Sequence, residues 1–432
     1  MDPRFTEALQ AVRALEEGGY ESRLAGGCVR DRVLGLTPKD YDIATTAEPT
    51  VVQRLFSQRG QKIIPTGLDH GTVTLVGQSG QYEITTLRRD VCTDGRRAVV
   101  AFSKSFAEDA ERRDFTVNAM YEDAHGQIHD YFRGLDHLKE KRLVFVGDAS
   151  LRIREDYLRI LRLFRFWARL GFQPDQDALA IIPSLAGGAG GLQMISQERI
   201  TGELLQILAT SDPHAALEAM SQLGVWALIL PEAPLSPPSL KVIAAIRGES
   251  AGTDEKAIVR LAVIFAVAAV PDYAAVGRRL RLSTADVHKL RCFAASLERL
   301  QSGAFTSDVA ACMDFVDFVD ESAGVGSFQR IFCEALRAFL EFGSRRTDSF
   351  PEKEYRDFLG DLQQIVAVEA AKGSLRRQPM PLNGKYIIRE LQLSPGPQMK
   401  LLLSELKARF RRGEWSSPAE GLKVAAKILA KK

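Results

Sequence analysis

Two carboxylates two residues apart, Asp40 and Asp42, carry the sharpest chemical signal in the chain. In an extended strand, residues i and i+2 point to the same face. Both acids would then stand side by side, with Tyr41 and Ile43 turned the other way. Unpaired carboxylates repel, and a hard divalent cation resolves that repulsion. Mg2+ prefers a few carboxylates completed by substrate phosphates. Two such ions, about 3.5–4 Å apart, clamp the attacking and leaving oxygens of phosphoryl transfer. Asp-x-Asp alone is common in surface turns. Its weight comes from Gly26-Gly27, a short way upstream of it and just before an apparent helix start. A backbone without side chains lets its N–H groups approach a phosphate closely, and Arg30, one turn into that helix, can neutralise the same anion. The bland alternative is a strand-to-helix turn with a surface Arg30–Asp31 pair. The proximity of the two features favours phosphate and metal.

The elements that must position these groups are mixed α/β over residues 1 to about 145. Phe5, Leu9, Val12 and Leu15 recur at helical spacing. Short β-rich runs follow at Tyr41–Ala44, Thr72–Val76, Tyr82–Leu87 and Ala98–Phe102, punctuated by glycines. From about residue 150 the pattern turns almost wholly helical. Leu158, Leu161, Phe164, Arg165 and Ala168 predict one long amphipathic helix. The run Leu261–Val270 is far short of the about 20 apolar residues of a membrane span and predicts a buried core helix.

A chain of 432 residues with 45% hydrophobic and 26% charged residues is an ordinary globular one of about three domains. Wholesale disorder and a disulfide-stapled miniprotein are excluded. The five cysteines are scattered, without a C-x-x-C. They predict reduced thiols and a cytoplasmic protein, and Met1-Asp2-Pro3-Arg4 lacks a secretory pattern. Charge is uneven: Lys372 to Lys432 holds 14 Lys and Arg against 4 Glu, whereas the whole chain has 57 against 55. A basic end suggests a polyanion contact.

Gly26-Gly27-x-Val29-Arg30-Asp31 and Asp40-x-Asp42 resemble the first motif of class II tRNA nucleotidyltransferases, the CCA-adding enzymes and their relatives the bacterial poly(A) polymerases. The resemblance continues, in order, through Thr66-Gly67-x-x-His70-Gly71-Thr72-Val73, Tyr82–Arg88, Arg112–Met120 and Glu155-Asp156-Tyr157-Leu158-Arg159. It implies an α/β nucleotidyltransferase head with a DNA polymerase β-like mixed sheet, followed by an all-α neck, body and tail. The expected boundaries are 1–145 for the head, 146–215 for a neck that recognises the base, 216–350 for the body and 351–432 for a basic, tRNA-binding tail. Asp40 and Asp42 would bind Mg2+, with Glu83 a possible third catalytic acid; its plain alternative is an ion pair with Arg88 or Arg89. Gly27, Arg30 and Arg113 would hold the triphosphate of CTP or ATP.

Base choice without a nucleic-acid template falls by the same resemblance to Asp156 and Arg159. The two share a helix face at i and i+3, where the plain reading is a surface ion pair worth about 0.2–0.5 kcal/mol. A carboxylate accepts hydrogen bonds and a guanidinium donates them. Cytosine and adenine each offer an amino donor beside a ring-nitrogen acceptor, and uracil and guanine reverse both. An Asp–Arg pair along the base edge therefore matches C and A. Arg162 and Arg165 continue the row, toward the triphosphate or as fixers of the helix. Ser196-Gln197-Glu198-Arg199-Ile200-x-x-Glu203-Leu204 resembles a motif that supports this template helix. Residues Asp90 to Ser105 carry the loop that, in the family, helps switch the pocket from CTP to ATP, which favours full CCA addition over CC-only, A-only or poly(A) addition. His137 stands where the family's hinge usually has Asp. With six histidines in all, an HD-type phosphohydrolase domain is not expected. The implied partners are tRNA, CTP and ATP, with no membrane. The tail, with Gly384, Gly396, Arg409, Arg411, Arg412 and Lys423, would grip the tRNA backbone by shape.

Overall fold

The computed structural model describes residues 2–68, 71–93, 98–188, 190–246 and 253–301, then Ala335, Ala338 and parts of 380–430. Helix α1 (Pro3–Glu17) is capped by Asp2, whose carboxylate accepts from the Arg4 N–H, and Pro3 occupies the first turn, where its missing N–H costs nothing. The stripe Phe5, Ala8, Val12 and Leu15 is buried, as its spacing requires.

The head then runs β1 (Ser22–Ala25), α2 (Gly27–Val33), β2 (Ile43–Thr45), α3 (Pro49–Gln58), β3 (Lys62–Gly67), β4 (Thr72–Val76) and β5 (Gln81–Thr86). A separate hairpin follows, β6 (Arg88–Thr93) and β7 (Ala98–Phe102), then α4 (Phe106–Glu111), β8 (Met120–Glu122), β9 (Ile128–Asp130), α5 (Gly134–Lys139) and β10 (Arg142–Leu143). Seven strands form one sheet in the order β3-β4-β5-β2-β1-β8-β9. β2 and β5 pair parallel and the other neighbours antiparallel, so the sheet is mixed.

The remainder is helical: α6 (Ala149–Glu155), α7 (Leu158–Leu170), a short β11 (Gln173–Pro174), α8 (Gln176–Ala186), α9 (Gln197–Ala209), α10 (His214–Gln222), α11 (Val225–Ile229), α12 (Pro237–Ala245), α13 (Thr253–Val267), α14 (Tyr273–Arg279), α15 (Thr284–Gln301), α16 (Gly384–Glu390) and α17 (Pro418–Leu429). One apolar core extends from α1 through the neck to Phe293 on α15. A smaller cluster that includes Leu87, Phe106 and Tyr121 lies in the head, and Leu382, Ile387, Leu402, Leu406, Phe410, Trp415 and Ala425 form another in the tail. Most of residues 302–379, where the body-to-tail boundary is expected, lies outside the described residues, as do Gly396, Arg411 and Arg412.

Two expectations are corrected. β2 begins only at Ile43, so Asp40 and Asp42 lie in the segment leading into it, although the Ala25 N–H still donates to the Asp42 carbonyl at 2.9 Å. The single long helix expected across residues 158–168 and their upstream Asp156 is two. Asp156 is extended (φ −154°) and its Oδ1 accepts from the Leu158 N–H at 3.1 Å. That side chain offers the backbone a partner outside the helical ladder and breaks the chain between α6 and α7. The Leu261–Val270 run begins within α13, whose Leu261 to Phe265 are buried. Beside them Arg260, fully buried, donates to the carbonyls of Leu208, Thr210 and Ile246. It thereby satisfies acceptors that the ends of α9 and α12 leave open.

Candidate active site

A cleft of about 610 Å³ opens between one face of the sheet and helix α7, with Arg199 of α9 at its side. Its acidic wall follows from register. Ile43 pairs with Ile84 in the parallel β2–β5 ladder, so the residues one step earlier, Asp42 and Glu83, emerge together on the cleft face. Ile43 and Ile84 go into the core behind them. Enclosure by the cleft walls, then the charges of Glu83 and Asp40, push the Asp42 carboxyl up to about 6, against the pull of Arg113. Asp40 is exposed at the mouth and does not line the cleft itself. Glu83 lines the cleft beside Asp42. These crowded oxygens suit a hard cation. Among the described residues no three acids, histidines or cysteines gather closely enough to hold an ion alone. The set therefore fits an ion completed by phosphate oxygens and water, the habit of Mg2+.

The basic wall begins at Gly26, with φ +75°. A Cβ there would lie 2.6 Å from Arg113 Nη1, so glycine is what lets that arginine lie across the turn. Arg113 donates to Asp109 at 3.1 Å and to the Tyr121 hydroxyl at 3.2 Å, and Tyr121 donates to Asp109 at 2.7 Å. Arg30 is buried, bonded to Asp31 and to the Asn118 side chain, with its guanidinium 5.2 Å from the Phe166 ring centre. Asn118 also accepts from Arg113 through its carbonyl, so one short turn, Thr116–Asn118, holds both arginines. Arg169 reaches the second oxygen of Asp31 at 2.8 Å, and Arg162 holds Asp114. Gly27, Arg30, Arg112, Arg113, Arg162 and Arg169 all line the cleft. Arg165 does not; it turns to Gln206 at 2.7 Å and Glu203 at 3.1 Å. Of these, Arg112, Arg169 and Asn118 were not singled out from sequence. Arg169 extends the Arg162–Arg165 row by four residues, a signal that was available.

These pairings carry a pH dependence. Burial alone would raise Asp109 and Asp114. The charges of Arg113 and Arg112 beside the first, and of Arg162 beside the second, outweigh it and hold both at about 2. A depressed folded pKa stabilises above the unfolded value, so each carboxylate contributes about 2 kcal/mol that is present in full above about pH 4 and lost toward pH 2. Denaturant melts at pH 5, 3.5 and 2.5 are expected to show a steep loss of stability in the wild type. The loss is shallower in Asp109→Asn and Asp114→Asn, which start less stable; equal slopes would remove these two acids from the acid transition.

The third wall holds the expected base readers. Asp156, Arg159 and Arg199 line the cleft together. Arg199 donates to Asp156 Oδ2 at 2.7 Å. Arg159 donates to Glu155 at 2.6 Å and to the carbonyls of Arg152 and Arg112 at 2.7 and 2.9 Å. Arg199 and Glu203 sit one turn apart on α9, so that helix braces Asp156 through one residue and Arg165 through the other. At the expected hinge, His137 Nδ1 lies 2.8 Å from the Thr116 hydroxyl. Gly134 is pressed against the Thr116 carbonyl, which a Cβ would approach to 2.4 Å. The segment thus packs under the turn that carries Asn118. The tip of the β6–β7 hairpin, residues 94–97, and His70 lie outside the described residues.

Residues 22–144 match the family described as Poly A polymerase head domain, and residues 171–235 match that described as Probable RNA and SrmB- binding site of polymerase A. The chain is 33% identical over 411 residues to the CCA tRNA nucleotidyltransferase 1, mitochondrial, of Mus musculus, spanning 94% of this chain and 87% of that one. It is 30% identical over 417 residues to the CCA-adding enzyme of Streptococcus pyogenes serotype M2, spanning 96% and 94%. The crystal structure of the Bacillus stearothermophilus CCA-adding enzyme in complex with CTP superposes with a TM-score of 0.70 at 27% identity, covering 100% of this chain and 99% of that one.

Proposed function

This chain belongs to the family of CCA-adding tRNA nucleotidyltransferases, and on that premise we propose how its cleft carries out the reaction. It adds C, C and A to tRNA 3′ ends from CTP and ATP, without a nucleic-acid template, and releases pyrophosphate. The supporting observation is the arrangement within one cleft: an acidic edge of Asp42 and Glu83 faces a wall of arginines, with Asp156 and Arg159 beside it.

Asp40 and Asp42 are the residues that would hold Mg2+, with Glu83 as a third acid at the same edge. When bound, the cation would supply charge neutralisation for the phosphate oxygens and a lowered pKa for the attacking hydroxyl. Arg113, Arg30 and the backbone at Gly27 receive the triphosphate, so that its α-phosphate lies toward Asp42. Arg162 has its charge partly spent on Asp114 and, with Arg169, adds a positive field. Arg165 supports the helix through Glu203. Because the arginines are pre-bonded, little reorganisation is needed when charge shifts toward the leaving pyrophosphate. The 3′-hydroxyl of tRNA attacks the α-phosphate in line, and the basic tail binds the RNA backbone.

Cytoplasm is the proposed location, on the scattered cysteines; Cys28 and Cys292 are free thiols, and no helix among the described residues is long and apolar enough to cross a membrane. An HD-type phosphohydrolase activity is not part of the reading.

Labelled CTP and ATP with Mg2+, supplied to tRNA ending at the discriminator base and resolved at single-nucleotide length, are expected to give three additions and a stop. An unlimited ladder from ATP alone would instead make the chain a poly(A) polymerase. A halt after two Cs would make it a CC-adding enzyme, and addition only to tRNA already ending in CC an A-adding one.

A further inference from the structure

Residues flanking the acids are tied, on the far side of the sheet, to the first turns of α1. Strand alternation sends Asp42 and Glu83 to the cleft and their neighbours Tyr41 and Tyr82 backward, where both are almost fully buried. The Tyr41 hydroxyl donates to Asp2 Oδ2 at 3.2 Å, and the Tyr82 hydroxyl donates to Glu7 Oε2 at 2.7 Å. Glu7 also accepts from the backbone N–H groups of Gln78 and Ser79, at 2.7 and 2.9 Å, in the turn that starts β5. Arg4 links the two sides. Its guanidinium donates to the carbonyls of Lys39 at 2.8 Å and Pro38 at 3.2 Å, and its stem would touch a Cβ on Gly80 at 3.7 Å. Asp2, in turn, pairs with Arg4 at 2.9 Å.

Asp40 has no hydrogen bond or ion pair of its own among the described residues. Its position is inherited from Lys39 on one side and Tyr41 on the other, and both are held by α1. Glu83 likewise inherits its position from Tyr82. These two acid-bearing segments belong to β2 and β5, which share only a three-residue parallel ladder. Such a short ladder leaves the Asp40 lead-in free to drift unless something else fixes it.

We infer that the N-terminal turns of α1, through Asp2, Arg4 and Glu7, act as a clamp that sets the spacing of Asp40 and Asp42 against Glu83, making these three and the two tyrosines positioning residues for the metal edge. The inference rests on the proposed metal role of those acids. Groups that hydrogen-bond metal ligands typically change affinity or activity about 10- to 100-fold when removed, and the α1 residues act one contact farther out, at the lower end of that range.

The test uses the full-length protein and three variants: Arg4→Met, the double variant Tyr41→Phe/Tyr82→Phe, which keeps both rings and deletes both hydroxyls, and Arg4→Lys. Mn2+ binding is followed by electron paramagnetic resonance on protein with CTP and no tRNA, beside kcat, KM for CTP and the Mg2+ concentration for half-maximal rate. Weakening of Mn2+ affinity and a fall in kcat of about 10-fold each are expected in the first two variants. KM for CTP should stay within about twofold, because the arginine wall is untouched, and Arg4→Lys should recover part of the loss through its one remaining donor group. Unchanged Mn2+ affinity and kcat in both variants would overturn the clamp. So would a uniform loss of active protein, with kcat per active site, KM and metal affinity normal in the folded fraction, which would leave α1 a stabilising helix only. Failure of the functional reading looks different: wild-type protein that binds Mn2+ through Asp42, lost in Asp42→Asn, but transfers no nucleotide.

Discussion

Asp42→Ala is expected to lower single-turnover incorporation of CTP and of ATP by about 10³-fold or more, while binding of tRNA stays within about twofold. A factor of 10³ corresponds to about 4 kcal/mol of lost transition-state stabilisation, in the range of a removed electrostatic contact in a closed site. Asp42 is the acid for which this size is warranted. It lines the cleft, its neighbour Glu83 emerges beside it, and its carboxyl is pushed up to about 6 by enclosure and by the two other acids. A group in that setting is costly to hold charged without a cation and therefore gains most from one. Asp40, exposed at the mouth, is expected to matter less. RNA affinity should survive because phosphate contacts across the basic tail and neck supply it. Filter binding at fixed salt, alongside rapid-quench incorporation, separates the two. Incorporation within about tenfold of wild type in Asp42→Ala would reject the metal assignment, and a parallel loss of tRNA binding would place Asp42 in the RNA interface instead.

How much of this was legible in the sequence differs from wall to wall. The acidic edge was readable only in part: the Asp-x-Asp spacing is a local signal, but both acids precede β2, and only Asp42 lines the cleft while Asp40 is exposed. The partnership with Glu83 was not readable by spacing, since it depends on a parallel register between β2 and β5 separated by two other strands and a helix. The same holds for Arg113 over Gly26, a contact across 87 positions that only the fold creates. Helical periodicity recovered α1, α7 and the buried part of α13, where one apolar face dominates. It failed at Asp156, because the break there is made by a side-chain-to-backbone hydrogen bond rather than by a proline or glycine. The row Asp156, Arg159, Arg162 and Arg165 was therefore only partly a row. Arg162 reaches the cleft, whereas Arg165 is drawn off it by a buried carboxylate, Glu203, from another helix. β1, β8 and β9 were missed because three- and four-residue strands carry too little alternation to stand out, and β3 was missed because Pro65 interrupts its run.

The break at Asp156 also bears on the base selection proposed for it, and it leads to the second large effect. Asp156→Ala is expected to raise misincorporation of UTP relative to CTP, and of GTP relative to ATP, by about 100-fold or more, with a smaller loss in the rate for the correct nucleotides. A carboxylate has about four acceptor sites. In this structure one is taken by the Leu158 N–H and one by Arg199, which leaves two for an incoming amino group. Arg159 has five donors, and its bonds to Glu155, Arg152 and Arg112 use three, leaving two for a ring-nitrogen acceptor. Cytosine and adenine satisfy both remainders. Uracil and guanine would set a carbonyl against the carboxylate and a ring N–H against the guanidinium, so polar groups on both sides would be left unpaired. Sites of this kind reject the wrong partner by up to about 10⁴–10⁵-fold, and alanine removes the repelling half. Asp156→Asn makes a sharper version of the same test. Its single amide oxygen can keep the Arg199 bond by giving up the one from the Leu158 N–H, and its NH2 then offers a donor to the base, the partner a uracil carbonyl wants, so UTP use should rise further than in the alanine variant. The measured quantity is the ratio of kcat/KM for CTP to UTP and for ATP to GTP on tRNA substrates with the appropriate 3′ ends. Ratios unchanged from wild type would remove Asp156 from base selection and return it to the role its contacts already fill, capping α7 and anchoring α9.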